Sequence, residues 1–340
     1  MKAAFVRAPF EFMVKDVHLP KLSSHDVLIK VKSCGICGTD LHIARTQAKE
    51  WEPFGHEISG IVEGIGSDVD NVQVGDKVVV ESGSFCGKCD NCRNGRVDLC
   101  INNIPNIFTR AKNEALPMGF AEKIIVHNQS VVPFDGISFE EACLVEPLGV
   151  AYDLVHTTGI DLGDNVLIVG LGTIGILAAQ IAKLMGAKKV IGANPYRKSK
   201  FSVSRKLGVD EIIPTDKISI NSYKFSEGID KALVTAPPSV IPEVMKVMNY
   251  GGIIGYIGID YSEKKFITLD ANEFHFRKLQ LRASYAVPAL YFPKCLELIE
   301  NGVVKVKPLI THRFSLKDIA EIMKETENNG EVIKAVMINK

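Results

Sequence analysis

The chain has 340 residues, 46% of them hydrophobic and 24% charged, with 40 Lys plus Arg set against 40 Asp plus Glu. That length is long for a single hydrophobic core and predicts two domains, while the composition lies far from that of disordered chains. The charge balance excludes a net field that would draw the molecule to nucleic acid or an anionic membrane, so a small molecule is the expected partner.

At the amino terminus, Lys2, Arg7, Glu11, Lys15 and Asp16 interrupt the apolar residues, unlike the core of a secretory signal. No later segment has the apolar length needed to span a bilayer, and a cytoplasmic location is expected. To about residue 150 the chain reads as short β-rich segments broken by turns, at Val27 to Val31, Gly60 to Ile65, Lys77 to Val80 and Ala121 to Val126. They predict a compact antiparallel, barrel-like unit.

Two groups of metal-ligand residues fall in this unit. Cys37-Gly38-Thr39-Asp40-Leu41-His42 and Gly55-His56-Glu57 supply thiolate, imidazole and carboxylate, and three such protein ligands with one open place make a catalytic zinc arrangement. Cys86, Cys89, Cys92 and Cys100 follow as C-x2-C-x2-C-x7-C, a spacing at which four thiolates can close the shell of a structural zinc. Among the eight cysteines, a reducing compartment makes metal binding the better reading than disulfides, and Cys34, Cys143 and Cys295 read as packing residues.

From Asn165 the texture changes to an apolar strand at Val166 to Val169, a glycine turn, a helix from Thr173 to Met185 and a strand at Lys189 to Ala193. The turn, Gly170-Leu171-Gly172-Thr173-Ile174-Gly175, fits G-x-G-x-x-G between strand and helix, so its glycines and the amides of the first helical turn are expected to hold a dinucleotide pyrophosphate. Helices at Ser199 to Leu207 and Val240 to Asn249 then alternate with strands near Glu211, Asp230, Ile253 and Leu279, predicting a parallel sheet covered on both faces. Where an acidic residue would meet the ribose 2'-hydroxyl, about 20 residues past the turn, stands Asn194. A neutral amide does not repel a 2'-phosphate and Arg197 can bond one, so the cofactor is NAD(P) with a lean to NADP. A helix at Tyr291 to Asn301, an extended Val303 to Phe314 and a last helix and strand complete the chain and are expected to return to the first domain.

C-G-T-D-x-H, G-H-E-x-x-G continuing to Gly66, then Val74-Gly75-Asp76-Lys77-Val78, the four-cysteine loop and the glycine turn occur in the order seen in medium-chain zinc dehydrogenases, which the chain resembles throughout. The resemblance implies an α/β fold: a GroES-like β-rich domain at 1–150, completed by 286–340, and a doubly wound Rossmann domain at 151–285. Within that family Val145-Glu146-Pro147-Leu148-Gly149 resembles the sorbitol (polyol) dehydrogenase branch. It implies one catalytic and one structural zinc per chain, the catalytic ion approached by Cys37, His56 and Glu146, with Glu57 beside it as an adjustable ligand and Asp40 orienting His56. It further implies a Thr39 hydroxyl on the reacting oxygen, with protons passed through the cofactor ribose to His42.

The expected reaction is hydride transfer between NAD(P) and a secondary alcohol of a polyol, sugar or sugar acid, in a homo-oligomer for which a tetramer is favoured. Arg282-Ala283-Ser284-Tyr285-Ala286-Val287 departs from the sorbitol pattern, in which an Arg of this stretch bonds the polyol, so ketoses, inositol-type rings and hexonates stay open beside sorbitol. Trp51 reads equally as pocket wall or core. A threonine 3-dehydrogenase shares Cys37 to Ile43, and a non-catalytic zinc-containing binding protein or a zinc-ribbon nucleic-acid module stand as alternatives of another class.

Overall fold

A computed structural model describes residues 1–83, 85–102, 106–285 and 291–340. The chain forms two compact units, one of residues 1–149 with 287–340 and the other of residues 150–286.

The first unit is built on the ten-residue strand Asp26–Gly35, whose side chains alternate between buried and partly buried over most of its length, as the two-residue period of a strand requires. It pairs antiparallel with Glu57–Ile65, Lys123–His127 and Lys334–Ile338. Among the described residues these belong to a seven-stranded sheet that also holds Ile310–Phe314, Lys77–Val80 and Val131–Pro133. Val27, Ile29, Val31, Ile58, Val62 and Val78 are buried in its core together with Phe54 and Phe120, whose ring centroids lie 4.8 Å apart. The register sets Gly35 opposite Glu57 on one side and Val336 on the other. Residues near 36, 57 and 334 are thereby gathered at one end of the central strand. The extended run expected over Val303 to Phe314 is a strand only at Ile310–Phe314, preceded by a 3-10 turn at Lys307–Leu309, where Pro308 has no N-H to give a ladder.

In the second unit six parallel strands lie in the order Glu211–Pro214, Lys189–Asn194, Asn165–Val169, Ile229–Val234, Met248–Tyr256, Gln280–Ala283. Counted along the chain this is 3-2-1-4-5-6, the doubly wound order. Residues 165–169 are buried throughout, which explains an unbroken apolar run where an antiparallel strand would alternate. The order reverses between Asn165–Val169 and Ile229–Val234, and ligands bind at the carboxyl ends of the strands beside such a reversal. The glycine turn begins there, at Gly170. The helix expected over Val240 to Asn249 stops at Val247, because Met248 already pairs with Ile229. An irregularity in that pairing, with Gly251 at a φ of 77°, absorbs the residues between Met248 and Ile253. Among the described residues no helix is long and apolar enough to cross a membrane.

Candidate active site

The four-cysteine loop is the tighter of the two metal-ligand groups. The sulfurs of Cys86, Cys89, Cys92 and Cys100 all lie within 4.8 Å of one another, and no other group of three or more His, Cys, Asp or Glu ligand atoms among the described residues meets that limit. Cys89 Sγ and Cys92 Sγ are 3.4 Å apart, and Cys86 Sγ and Cys92 Sγ 4.0 Å. A tetrahedral zinc with bonds of about 2.3 Å holds its sulfurs about 3.8 Å apart, so the loop is shaped for one ion. Backbone amides already favour thiolate here: the N-H of Lys88, aided by that of Cys89, brings the Cys86 thiol down to about 6. Burial and its sulfur neighbours push Cys92 up to about 12.

The second group is gathered around the end of the central strand. Cys37 leads into the short helix Gly38–His42, and the fully buried Asp40 in its first turn holds two backbone positions. The Cys37 N-H donates to Asp40 Oδ2 at 2.8 Å and the Gly55 N-H to Oδ1 at 3.1 Å. Asp40 therefore fixes the backbone beside both Cys37 and His56. Its Oδ1 is 3.7 Å from His56 Nδ1, an ion-pair contact beyond hydrogen-bonding distance, and that buried nitrogen has no hydrogen-bond partner. Burial favours the neutral imidazole, but the charges of Cys37 and Asp40 outweigh it and hold the His56 pKa well above its ordinary value.

Glu146 sits in the first turn of the helix Val145–Thr158, where the helix dipole favours a carboxylate, and its Oε1 accepts from the Ser82 hydroxyl at 3.2 Å. Burial raises its pKa, and His56 opposes the rise. Glu57 is placed differently. Both of its oxygens accept from Lys334 Nζ at 2.7 Å, and the same ammonium donates to the Ile36 carbonyl at 2.8 Å. Lys334 and Glu57 are almost wholly buried, and although burial works against the Lys334 charge, the Glu57 carboxylate raises its pKa.

Lys334 was not singled out by sequence, although a Lys opening the apolar strand Lys334–Ile338 is a signal that it has a buried partner. Phe108 is a second addition, its ring 5.3 Å from that of His56. It is carried by the helix Ile107–Glu114, anchored by a buried 2.7 Å ion pair from Arg110 to Asp26. Nothing in its local sequence marks it.

Thr39 and His42 lie three residues apart on the helix Gly38–His42, on neighbouring positions of one face; Thr39 is exposed and His42 partly so. Burial, then the charge of Arg45, lowers the His42 pKa. Trp51 packs against the core of its unit with the Arg7 guanidinium 4.7 Å over its ring. Arg282 donates to the carbonyls of Thr157 at 3.0 Å and Thr158 at 3.3 Å, tying down a helix end. Residues 286 and 287 of that stretch lie outside the described residues.

In the glycine turn each glycine has its own reason. A Cβ on Gly170, at φ 101°, would lie 2.5 Å from Thr235 Oγ1, and one on Gly175 would lie 1.9 Å from the Gly170 carbonyl oxygen. Gly172 has open space instead, and it leads the helix Thr173–Leu184 without a side-chain cap. Thr173 and Ile174 stand in the first turn of this helix, the end at which the helix dipole favours anions. Asn194 ends the second strand and accepts from the Leu171 N-H at 3.0 Å, bracing the turn, while Arg197 Nη1 donates to the Tyr196 carbonyl at 2.7 Å.

Comparison with known proteins bears on the family and the fold. The alcohol dehydrogenase GroES-like domain family matches residues 23–136, and the zinc-binding dehydrogenase family matches residues 173–301. An L-threonine 3-dehydrogenase of Rhizobium etli is 34% identical over 98% of this chain and 98% of its own. A Sinorhizobium meliloti structure described as a zinc-binding dehydrogenase and bound to NADP superposes with a TM-score of 0.88 at 25% identity, covering 99% of each chain. Galactitol-1-phosphate dehydrogenase of Escherichia coli shares the fold, with a TM-score of 0.86 at 23% identity over 100% of both chains.

Proposed function

The chain belongs to the zinc-dependent medium-chain alcohol dehydrogenase family and is an NAD(P)-dependent oxidoreductase, and from that premise we propose that its substrate is a secondary alcohol of a polyol, sugar or sugar acid. The observation that carries this reading is Glu146, a buried carboxylate in the first turn of the helix Val145–Thr158, within the segment Val145-Glu146-Pro147-Leu148-Gly149 that resembles the polyol branch.

Cys37, His56 and Glu146 would hold the catalytic zinc, with Glu57 as the adjustable neighbour, and Cys86, Cys89, Cys92 and Cys100 the structural one. The donor set fits a divalent cation: a thiol, a buried imidazole and three buried carboxylates, Asp40, Glu57 and Glu146, of which only Glu57 is bonded to the buried ammonium of Lys334. When bound, zinc polarises the substrate hydroxyl and the nicotinamide accepts a hydride.

The remaining work falls to side chains of this protein. By resemblance the Thr39 hydroxyl, able to donate and accept at once, would accept the substrate proton while giving up its own, and His42, its pKa lowered by burial, would take the relayed proton and release it to water. Asp40 keeps Cys37 and His56 in place by accepting from the N-H groups of Cys37 and of Gly55, the residue before His56. Gly170, Gly172, Thr173, Ile174 and Gly175 receive the pyrophosphate. Asn194, neutral and already bonded to the turn, leaves room for a 2'-phosphate that Arg197 can meet, which favours NADP.

A second reading, L-threonine oxidation, is supported by the 34% identical Rhizobium etli relative. Parallel turnover assays of hexitols, hexonates and L-threonine, with ketose and keto-acid reduction by NADPH and NADH, separate the two. Turnover on threonine alone would reject the polyol reading. By resemblance the protein is further proposed to be a cytoplasmic homotetramer, which light scattering distinguishes from a dimer.

A further inference from the structure

The helix Gly38–His42 does not stop at His42 but passes into a π-turn, Ile43–Gln47, in which the Ala48 N-H donates to the Ile43 carbonyl, five residues back, at 3.1 Å. Such turns are rare and concentrate at functional sites. Three neighbours hold this one. The turn of the first hairpin donates from the Phe10 N-H to the Ala44 carbonyl and from the Ala8 N-H to the Ala48 carbonyl, both at 2.8 Å. Glu327, on the helix Ile319–Asn328, grips Arg45, its Oε1 accepting from Nε at 3.0 Å and both its oxygens accepting from Nη2 at 2.7 Å. Lys49 Nζ donates to the Thr46 carbonyl at 3.1 Å. Arg45 and Thr46, three and four residues past His42, are thereby fixed beside it, and Thr46 Oγ1 lies 3.4 Å from both the ring Nδ1 and the carbonyl oxygen of His42.

We propose that Arg45, held on the π-turn by Glu327, is a positioning residue that keeps His42 in its proton-accepting form at the acid end of the working pH range. This rests on the proposed relay through His42. The other charged groups of the elements packed here are engaged elsewhere. Asp40, on the helix of His42, accepts from the Cys37 and Gly55 N-H groups, and Arg7 and Glu11 of the hairpin pair with each other. Glu325, on the helix of Glu327, meets the His312 ring at 3.5 Å. Burial disfavours the imidazolium of His42, and the Arg45 guanidinium disfavours it further. A guanidinium does not lose its own charge, so this bias holds over the whole range in which an imidazole titrates. The fork to Glu327 supplies its place: a half-exposed side chain of that length would otherwise spread its charge over many rotamers.

The test follows the His42 ring by NMR titration of the holoenzyme labelled at its His ring carbons, the signal being assigned by its loss in His42→Ala, together with the pH profile of kcat/KM. In Arg45→Met the ring is expected to titrate at higher pH. Because neutral His42 accepts protons and loses that capacity as pH falls, the acid limb of kcat/KM moves up with it. The variant should fall about 3-fold below the wild-type at about pH 6 and match it at about pH 8.5. Arg45→Lys keeps the charge and stays close to the wild-type in both readouts. The double variant Arg45→Met with Glu327→Gln leaves no unpaired carboxylate and shows the same displacement, so a fold failure in the single variant is separated from the effect on His42. An unchanged His42 titration in folded Arg45→Met or in the double variant, or an equal displacement in Arg45→Lys, would overturn the role of Arg45. A displaced titration with an unmoved acid limb would instead overturn the relay through His42.

Discussion

The two metal-ligand groups of the first unit differ in what the protein supplies without an ion. In the loop, four identical donors stand within 4.8 Å of one another and backbone N-H groups stabilise a thiolate. At the end of the central strand the donors are mixed, more loosely gathered and buried, and one carboxylate, Glu57, is engaged by a cation of the protein itself. A closed set of like ligands holds a metal and nothing else. A looser set with a diverted carboxylate keeps space for a reactant. The contrast teaches that distance alone identifies structural metal sites, whereas a catalytic one is recognised by the buried charge it leaves uncompensated.

Substitutions break this contrast in graded ways. The largest effect is expected for Cys37→Ser, which should lower kcat/KM by about 10³-fold, equivalent to several kcal/mol of lost charge stabilisation, with the circular dichroism spectrum unchanged. Cys92→Ser should do the reverse, lowering the thermal midpoint by about 6–12 °C, or roughly 3 kcal/mol, while the folded fraction keeps its turnover. His42→Ala comes next. Because the His42 pKa is lowered, the ring is neutral and accepts protons above that pKa and loses this capacity as pH falls through it. The variant should therefore be slowed about 10-fold near neutral pH, with the deficit closing at about pH 9 as hydroxide replaces the relay, and a flat ratio of the two pH profiles would remove His42 from the path.

In the second unit, Asn194→Asp should shift the ratio of kcat/KM for NADP over NAD about 10-fold towards NAD by placing a negative charge where the 2'-phosphate would sit. Titrations with both cofactors measure it. Arg282→Ala should have the smallest effect, about 1 kcal/mol of stability from the lost bonds to Thr157 and Thr158, with KM for the alcohol unchanged. A large rise in KM would return Arg282 to the substrate.

What was legible in the sequence is what is local in the chain. The parallel strands showed as apolar runs because both their faces are covered, and the glycine turn and the cysteine loop are complete within 6 and 15 consecutive residues. Cys37 and His56 were marked by their neighbours, Asp40 above all, whose bonds to Cys37 and Gly55 explain the fixed C-G-T-D spacing. The helix Val145–Thr158 was hidden by Pro147 and Gly149, which read as turn residues, although Pro costs little in a first helical turn. Lys334 and Phe108 were out of reach for another reason. Lys334 is 277 residues from Glu57, and sheet register, not spacing, joins them. Phe108 reaches His56 only because Arg110 anchors its helix to Asp26.

The central claim is that one chain carries a closed zinc site and an open catalytic one. The direct measurement is elemental zinc analysis per chain during a timed chelator treatment, with activity and thermal midpoint followed in the same samples. The expected result is two zinc per chain, the first lost with the activity while the fold persists and the second lost only with a fall in the thermal midpoint. A single zinc per chain, or full activity after the first is removed, would contradict it.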